Sequence, residues 1–295
     1  MTFSATEAAF EGFRVVRRHP LAIVFWSLAY VIFFAVFFGL FGGSLATLMA
    51  TTESMEGGQP SPQDLEALGQ TYFAFMGMAM PLALVLGAVL NAAVARSVLS
   101  PSQKAFGYMR LGGDELRVLV VSIALGIVFF AASIVLFAVT GLVAGLAAQA
   151  NQGVGILVGI LLGLGAVAAL VWLAIRLSLA IPATVVDKKI APFSTFALTK
   201  GQVLPLLGMA IIAFIMSILV SILGTIIALP ITFATGGLEQ LATMDGQSTA
   251  QILRAAGPGL IAWGVVNAVF SALQLAVIYA PFSAAYRDLK GLPHE

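Results

Sequence analysis

Six long apolar stretches, at about 20–43, 70–95, 117–148, 154–181, 205–235 and 258–284, alternate with shorter polar segments along the 295 residues. Each exceeds the roughly 20 residues that cross a hydrocarbon core at about 1.5 Å of helical rise per residue. The pattern predicts six transmembrane helices in one membrane domain covering residues 1–295. The third and fifth stretches run to about 30 residues, so they must tilt, kink or project beyond the core. Pro81, Pro230 and Pro281 supply kink positions in the second, fifth and sixth. In the connection 50–69, Ser61-Pro62-Gln63-Asp64 reads as an N-cap with proline at N1, opening a short helix that leads into the second span. Residues 236–257 are polar and glycine-rich, with one helical turn expected around Gln251–Ala256.

A different pattern precedes the first, third and fifth spans. Ser4-Ala5-Thr6-Glu7 is a capping-box signature, and the helix it opens is expected to run to the Pro20 boundary. On a helical wheel Glu7, Glu11, Arg14, Arg17 and Arg18 gather opposite Ala5, Ala8, Ala9, Phe13 and Val16, with Phe10 among the charges. Such a helix lies in the membrane interface. Ser100-Pro101-Ser102-Gln103 followed by Gly112-Gly113 predicts a second helix of this kind, and Pro192 to Gly201 a third.

Ala9-Phe10-x-x-Phe13-Arg14 aligns without gaps on Ala105-Phe106-x-x-Met109-Arg110, and Phe10-x-x-Phe13 on Phe193-x-x-Phe196. Two readings of this similarity stand. One is a triplication of helix-plus-hairpin units at 1–96, 97–183 and 184–290, since repeats often generate membrane folds. The other is the chance likeness of apolar helices.

Charge orients the chain. Of its 14 Lys and Arg residues, 13 fall on the side of the two termini and the three amphipathic segments, against seven acidic residues there. The opposite side has only Arg254 against six acidic residues. By the positive-inside rule both termini are expected in the cytoplasm of a bacterial inner membrane. Composition agrees: 60% of residues are hydrophobic, 9% are charged and mean hydropathy is +1.05. The first apolar run of about 23 residues is longer than a signal-peptide core and reads as a span directing its own insertion.

The segment Arg176-Leu-Ser-Leu-Ala-Ile-Pro182-Ala-Thr-Val-Val-Asp187, then Ala191-Pro192-Phe193 and Lys200-Gly201, resembles a recurring segment of polytopic bacterial proteins. These carry the membrane domain attached to some glycerophosphodiester phosphodiesterases, and related domains of unknown function. The stretch around Phe10–Pro20 and Arg110-Leu-Gly-Gly-Asp-Glu-Leu116 suit a stand-alone member. The resemblance implies a membrane module linked to envelope or lipid function, with no defined reaction. The phosphodiesterase chemistry belongs to a separate soluble barrel with His and acidic metal ligands, whereas the histidines here are His19 and His294 without acidic neighbours at ligand spacing.

Candidate residues follow from what is costly inside a membrane. Arg176 precedes ten mostly apolar positions, so it either holds an anion within the membrane or snorkels past a Pro182 kink to the headgroups. Arg96, Arg110, Arg176 and Lys200 are together the candidates for an anionic-headgroup site on the cytoplasmic side. Gly155-x-x-x-Gly159-x-x-x-Gly163, with Gly141 and Gly145 in the preceding span, suits close helix packing, within the chain or between copies. Ser217, Ser221 and Thr225 give the fifth span a small polar stripe. Asn91, Asn267, Ser271 and Gln274 either line a polar path or make interhelical hydrogen bonds. The aromatic run from Phe25 and Trp26 to Phe41 reads as lipid-facing or packing bulk.

There are no cysteines, and no carboxylate lies mid-membrane to serve a proton relay. No catalytic constellation, nucleotide fingerprint or metal cluster is visible, so the expectation is a non-enzymatic protein without cofactor or metal, and without a nucleic-acid partner. The leading expectation is a scaffold, lipid-interacting or accessory module whose partners are the bilayer, anionic lipids, and an envelope protein or a second copy. The alternative is a small transporter or flippase-like protein.

Overall fold

In the computed structural model every regular element among the described residues is helical. The structure describes residues 4–56, 62–102, 105–235, 244, 247 and 249–293. Ser61, Gln103 and most of 236–248, which carry parts of the capping and loop expectations, lie outside them. Among the described residues the ten α-helices are α1 (Ala5–Ala9), α2 (Glu11–Arg18), α3 (Pro20–Glu56), α4 (Pro62–Leu99), α5 (Gly113–Ala150), α6 (Gln152–Leu177), α7 (Ala180–Asp187), α8 (Thr195–Leu198), α9 (Val203–Thr235) and α10 (Thr249–Lys290). Six helices are long and apolar enough to cross a membrane, and the chain is a six-span, all-α membrane protein.

The spans are longer than the apolar stretches that announce them. The helix expected to lead into the second span is its own first turns, since α4 begins at Pro62 and continues unbroken to Leu99. Likewise the turn around Gln251–Ala256 belongs to α10, which starts at Thr249. Pro81, Pro230 and Pro281 sit inside continuous helices. The fourth span does break: α6 ends at Leu177 and α7 starts at Ala180 with Pro182 in its first turn. Proline has no N–H to offer the Ser178 carbonyl, which makes this the weak point of the helix.

α10 is the hub. It packs along α3 and α9, and it also meets α4, α2, α1 and α7. Aromatic rings fill its seam with α3, where Phe34 and Phe38 lie 5.6 and 6.0 Å from Trp263. Phe37 and Phe41 contact Phe75 of α4 in the same manner. The aromatic run of the first span is therefore packing bulk on this face. The α5–α6 hairpin packs chiefly on itself and joins the rest through α4, α7 and α9. Gly155 lies against Ala148, and a Cβ on Gly159 would sit 3.3 Å from Ala144, so these two glycines close the hairpin. Gly141, Gly145 and Gly163 face open space. Of the stripe on α9, Ser217 is buried, while Ser221 and Thr225 point outward.

The three amphipathic leads take three different forms. The first breaks at Phe10 into α1 and α2. Ser4 Oγ accepts from the Glu7 N–H at 3.4 Å, which keeps the expected cap. The break changes the faces: Ala8, Ala9, Glu11, Gly12 and Val15 are buried, whereas Phe13 is exposed. This lead packs beneath α9 and α10 instead of lying free on the interface. Gly12 makes the crossing possible, because a Cβ there would come within 2.6 Å of the Ala276 carbonyl oxygen and overlap the Val277 backbone. Gly12→Leu is expected to cost about 1–3 kcal/mol by overpacking. Hydrogen exchange of residues 5–18 would then rise selectively, and unchanged protection would contradict the close crossing.

The second lead is not the α-helix expected over 100–112. Its described residues form a turn at 101–102 and one 3-10 turn at Ala105–Tyr108, where Phe106, Gly107 and Tyr108 all have positive φ. The cause is tertiary: Trp26 Nε1 donates to the Gly107 carbonyl at 2.7 Å, and Arg96 donates to the Tyr108 carbonyl at 2.7 Å. An α-helix would turn those carbonyls along its own axis. The third lead is a 3-10 turn at Pro192–Ser194 followed by the single turn of α8, closed by Gly201 at φ +76°.

Candidate functional site

The basic residues concentrate where α2, the end of α4, the start of α5, α7 and the end of α10 meet. Arg96 is the anchor of this end. It is 3% exposed, ion-paired with Glu115, and 3.9 Å from Asp114. Glu115 is itself buried, and its second oxygen accepts from the Gly112 N–H at 3.1 Å, capping α5. Tyr108, fully enclosed in the core, places its hydroxyl 3.3 Å from His19 Nδ1 and donates to the Pro101 carbonyl at 3.2 Å. One buried node thus ties α3, α4 and α5 to the 105–108 turn.

Beside this node lies a crevice of about 320 Å³. Its charged walls are Arg96, Arg110, Lys188 and Arg287, with Asp114 as the single carboxylate. Asp114 is engaged by Arg117 at 2.6 Å, and Arg287 reaches Asp288 at 3.3 Å. Arg110 and Lys188 are exposed and have no carboxylate partner among the described residues. Lys188 is held in position by an αL C-cap at φ 53° that ends α7. The end of α7 is fastened to α10 by Asp187, which pairs with Lys290 and accepts from the Tyr286 hydroxyl at 3.2 Å. Arg96 is compensated by Glu115 and Arg287 by Asp288, so the positive excess of the crevice comes from Arg110 and Lys188, a field that favours anions.

A second polar crevice of about 480 Å³ opens on the other side of Arg287, between α2 and the end of α4. Glu11, Arg18, His19 and Ser97 are among its walls. Glu11 also accepts from Arg14 at 3.0 Å.

Of the four expected headgroup residues, the structure brings Arg96 and Arg110 together in the first crevice and places Arg176 and Lys200 elsewhere. The guanidinium of Arg176 lies 4.8 Å from the Phe196 ring centre and 5.7 Å from that of Trp172. Its backbone carbonyl accepts from Thr195 Oγ1 at 3.1 Å. Arg176 therefore clasps α8 to α6 through cation–π contacts, a geometry distinct from both sequence readings. Its Nε is buried without a hydrogen-bond partner. Lys188 and Arg287, which complete the crevice, are visible in the sequence only as members of the basic side. Nothing in their local spacing distinguishes them from Lys189 or Lys290.

The intramembrane amides also separate. Asn267 Nδ2 donates to the Trp263 carbonyl of its own helix at 2.9 Å, and Ser271 and Gln274 are half-buried on α10. Asn91 lines an apolar chamber of about 400 Å³ between α4, α5, the α6–α7 break and α10. Compared with protein-family models, curated proteins and solved structures, the chain matches none of them.

Proposed function

We propose that the protein is a non-enzymatic, lipid-interacting module of a bacterial inner membrane whose basic crevice binds the headgroup of an anionic lipid. Both termini and the crevice then lie on the cytoplasmic side, following the asymmetry of basic residues. The observation that carries the reading is the pair Arg110 and Lys188, without carboxylate partners among the described residues, beside Arg96 and Arg287 in one crevice. Arginine forks and a lysine point charge suit phosphate oxygens, and an anionic leaflet adds roughly 1 kcal/mol of attraction per well-placed cation. The resemblance of residues 176–201 to lipid-linked membrane domains supports the same class of role and supplies no reaction.

The double variant Arg110→Gln/Lys188→Gln tests it, because both side chains are exposed and their loss is expected to leave the fold intact. Protein extracted into native-lipid nanodiscs is expected to show a lipid profile enriched in phosphatidylglycerol or cardiolipin over the bulk membrane. The double variant loses that enrichment. Identical profiles in the two proteins would refute the headgroup site. Stoichiometric recovery of another protein with no enriched lipid would move the role to an accessory subunit.

A further inference from the structure

The apolar chamber and the basic crevice share three helices, α4, α7 and α10, among their walls. Asn91 and Arg96 come from α4, Pro182 and Val185 from α7, and Ser283 and Arg287 from α10, the first of each pair lining the chamber and the second the crevice. These pairs are three to five residues apart. At about 1.5 Å rise per residue the two spaces are therefore offset by roughly 5–8 Å along the bundle. The chamber lies on the apolar side of the crevice, within the spans.

Its walls are mostly apolar, with Leu125, Phe129, Ala174 and Leu177 contributed by the α5–α6 hairpin. One polar atom stands out. Asn91 Oδ1 is buried and has no hydrogen-bond partner. A buried acceptor left without a donor is costly, and a donor entering the chamber would recover that cost. Ser178 is already committed, since its hydroxyl donates to the Ile175 carbonyl at 2.8 Å.

We propose that the two spaces are one site for a single-chain anionic amphiphile carrying a free hydroxyl next to its phosphate linkage, the chemistry of a lysophospholipid. The phosphate sits among Arg110, Lys188 and Arg287, the hydroxyl donates to Asn91 Oδ1, and the chain fills the chamber. A volume of about 400 Å³ lies at the lower end of the roughly 300–1,000 Å³ of small-molecule sites and suits one chain better than two. Recognition of the chain and hydroxyl rests on the headgroup reading above, but it depends on residues that reading does not use.

The test uses full-length protein in phosphatidylcholine nanodiscs doped with 16-carbon lysophosphatidylglycerol, with retained lipid counted by native mass spectrometry. Wild-type protein is expected to retain one lysolipid. Asn91→Leu removes the acceptor and should lower retention about three- to tenfold. Ala174→Phe fills the chamber from an exposed wall position and should lower it further, guarding against a folding defect in the first variant. Lysolipid retention that falls in Arg110→Gln/Lys188→Gln but is unchanged in both chamber variants would overturn this inference and leave the headgroup site standing. Retention unchanged in all three variants would overturn both. Dioleoyl phosphatidylglycerol that displaces the lysolipid at equal concentration would overturn the single-chain specificity.

Discussion

Replacing Arg96 with methionine is expected to destabilise the folded bundle by about 3–5 kcal/mol. The side chain is almost fully enclosed and serves two acceptors, the Glu115 carboxylate and the Tyr108 carbonyl. Methionine approximates its length and apolar stem, so the loss comes from electrostatics and not from a cavity. It leaves a carboxylate buried without its cation, and the 105–108 turn without one of the two donors that hold its unusual backbone. The midpoint of unfolding in mixed micelles reads the effect. Adding Glu115→Gln should recover part of it, since a neutral amide removes the orphan charge and keeps an oxygen for the Gly112 N–H. A lone Arg96→Met that unfolds at the wild-type midpoint would show that the pair contributes nothing to the fold.

Trp26→Ala is expected to cost a similar amount, about 3–5 kcal/mol, by a different route. The indole is completely buried in the main core and its Nε1–H donates to Gly107. Alanine opens a cavity and also frees the turn. Gly107 has φ +65°, and a Cβ there would meet Phe25 Cβ at 2.8 Å, so the backbone has little room to settle elsewhere. Trp26→Phe separates the two contributions: most of the bulk stays while the carbonyl loses its donor, and the expected cost drops to about 1–3 kcal/mol. Equal losses for the two variants would mean that the hydrogen bond, and not the volume, anchors the turn.

These two residues also explain what the amino-acid sequence conveys and where it stops. The spans are legible because lipid requires an unbroken apolar run whose backbone is satisfied within its own helix. That is a local condition, which five of the apolar stretches meet as continuous helices and the fourth meets with a break at residues 178–179. Ser100-Pro101-Ser102-Gln103 is equally local, yet the segment after it is shaped by Trp26 and Arg96, donors that lie 81 and 12 residues away from the carbonyls they hold. No pattern of caps contains that information. The first lead departs from its wheel for a related reason: a break at Phe10 rotates α2 relative to α1, so a single wheel cannot describe both.

The candidate site divides along the same line. Counting charges groups Arg96, Arg110, Lys188 and Arg287 on one side of the spans, and the structure has these four at one end of the bundle. The angular position of each residue around the bundle axis decides which of them share a crevice, and that depends on helix rotations set by packing. Arg176 is the clearest case. Its position near Pro182 made it the most unusual basic residue in the sequence, but the rotation of α6 turns it toward Phe196 and away from the crevice. Nothing in the sequence separates Asn91 from Asn267; the difference lies in the packing, which turns Asn91 into the chamber while Asn267 bonds within its own helix.

The central position of α10 has a consequence for biogenesis. Gly12, near the start of the chain, closes against Val277, synthesised 265 residues later. At about 5–20 residues per second, α1 and α2 wait on the order of 13–53 s for the helix that covers them. Until then α3 and α9 also lack their main neighbour, and the Glu11 carboxylate destined for burial remains in water. Assembly of this protein is therefore gated by the arrival of its sixth span. A ribosome stalled before α10 would present the membrane with five inserted helices and no completed core, a state suited to capture by insertion factors or membrane proteases.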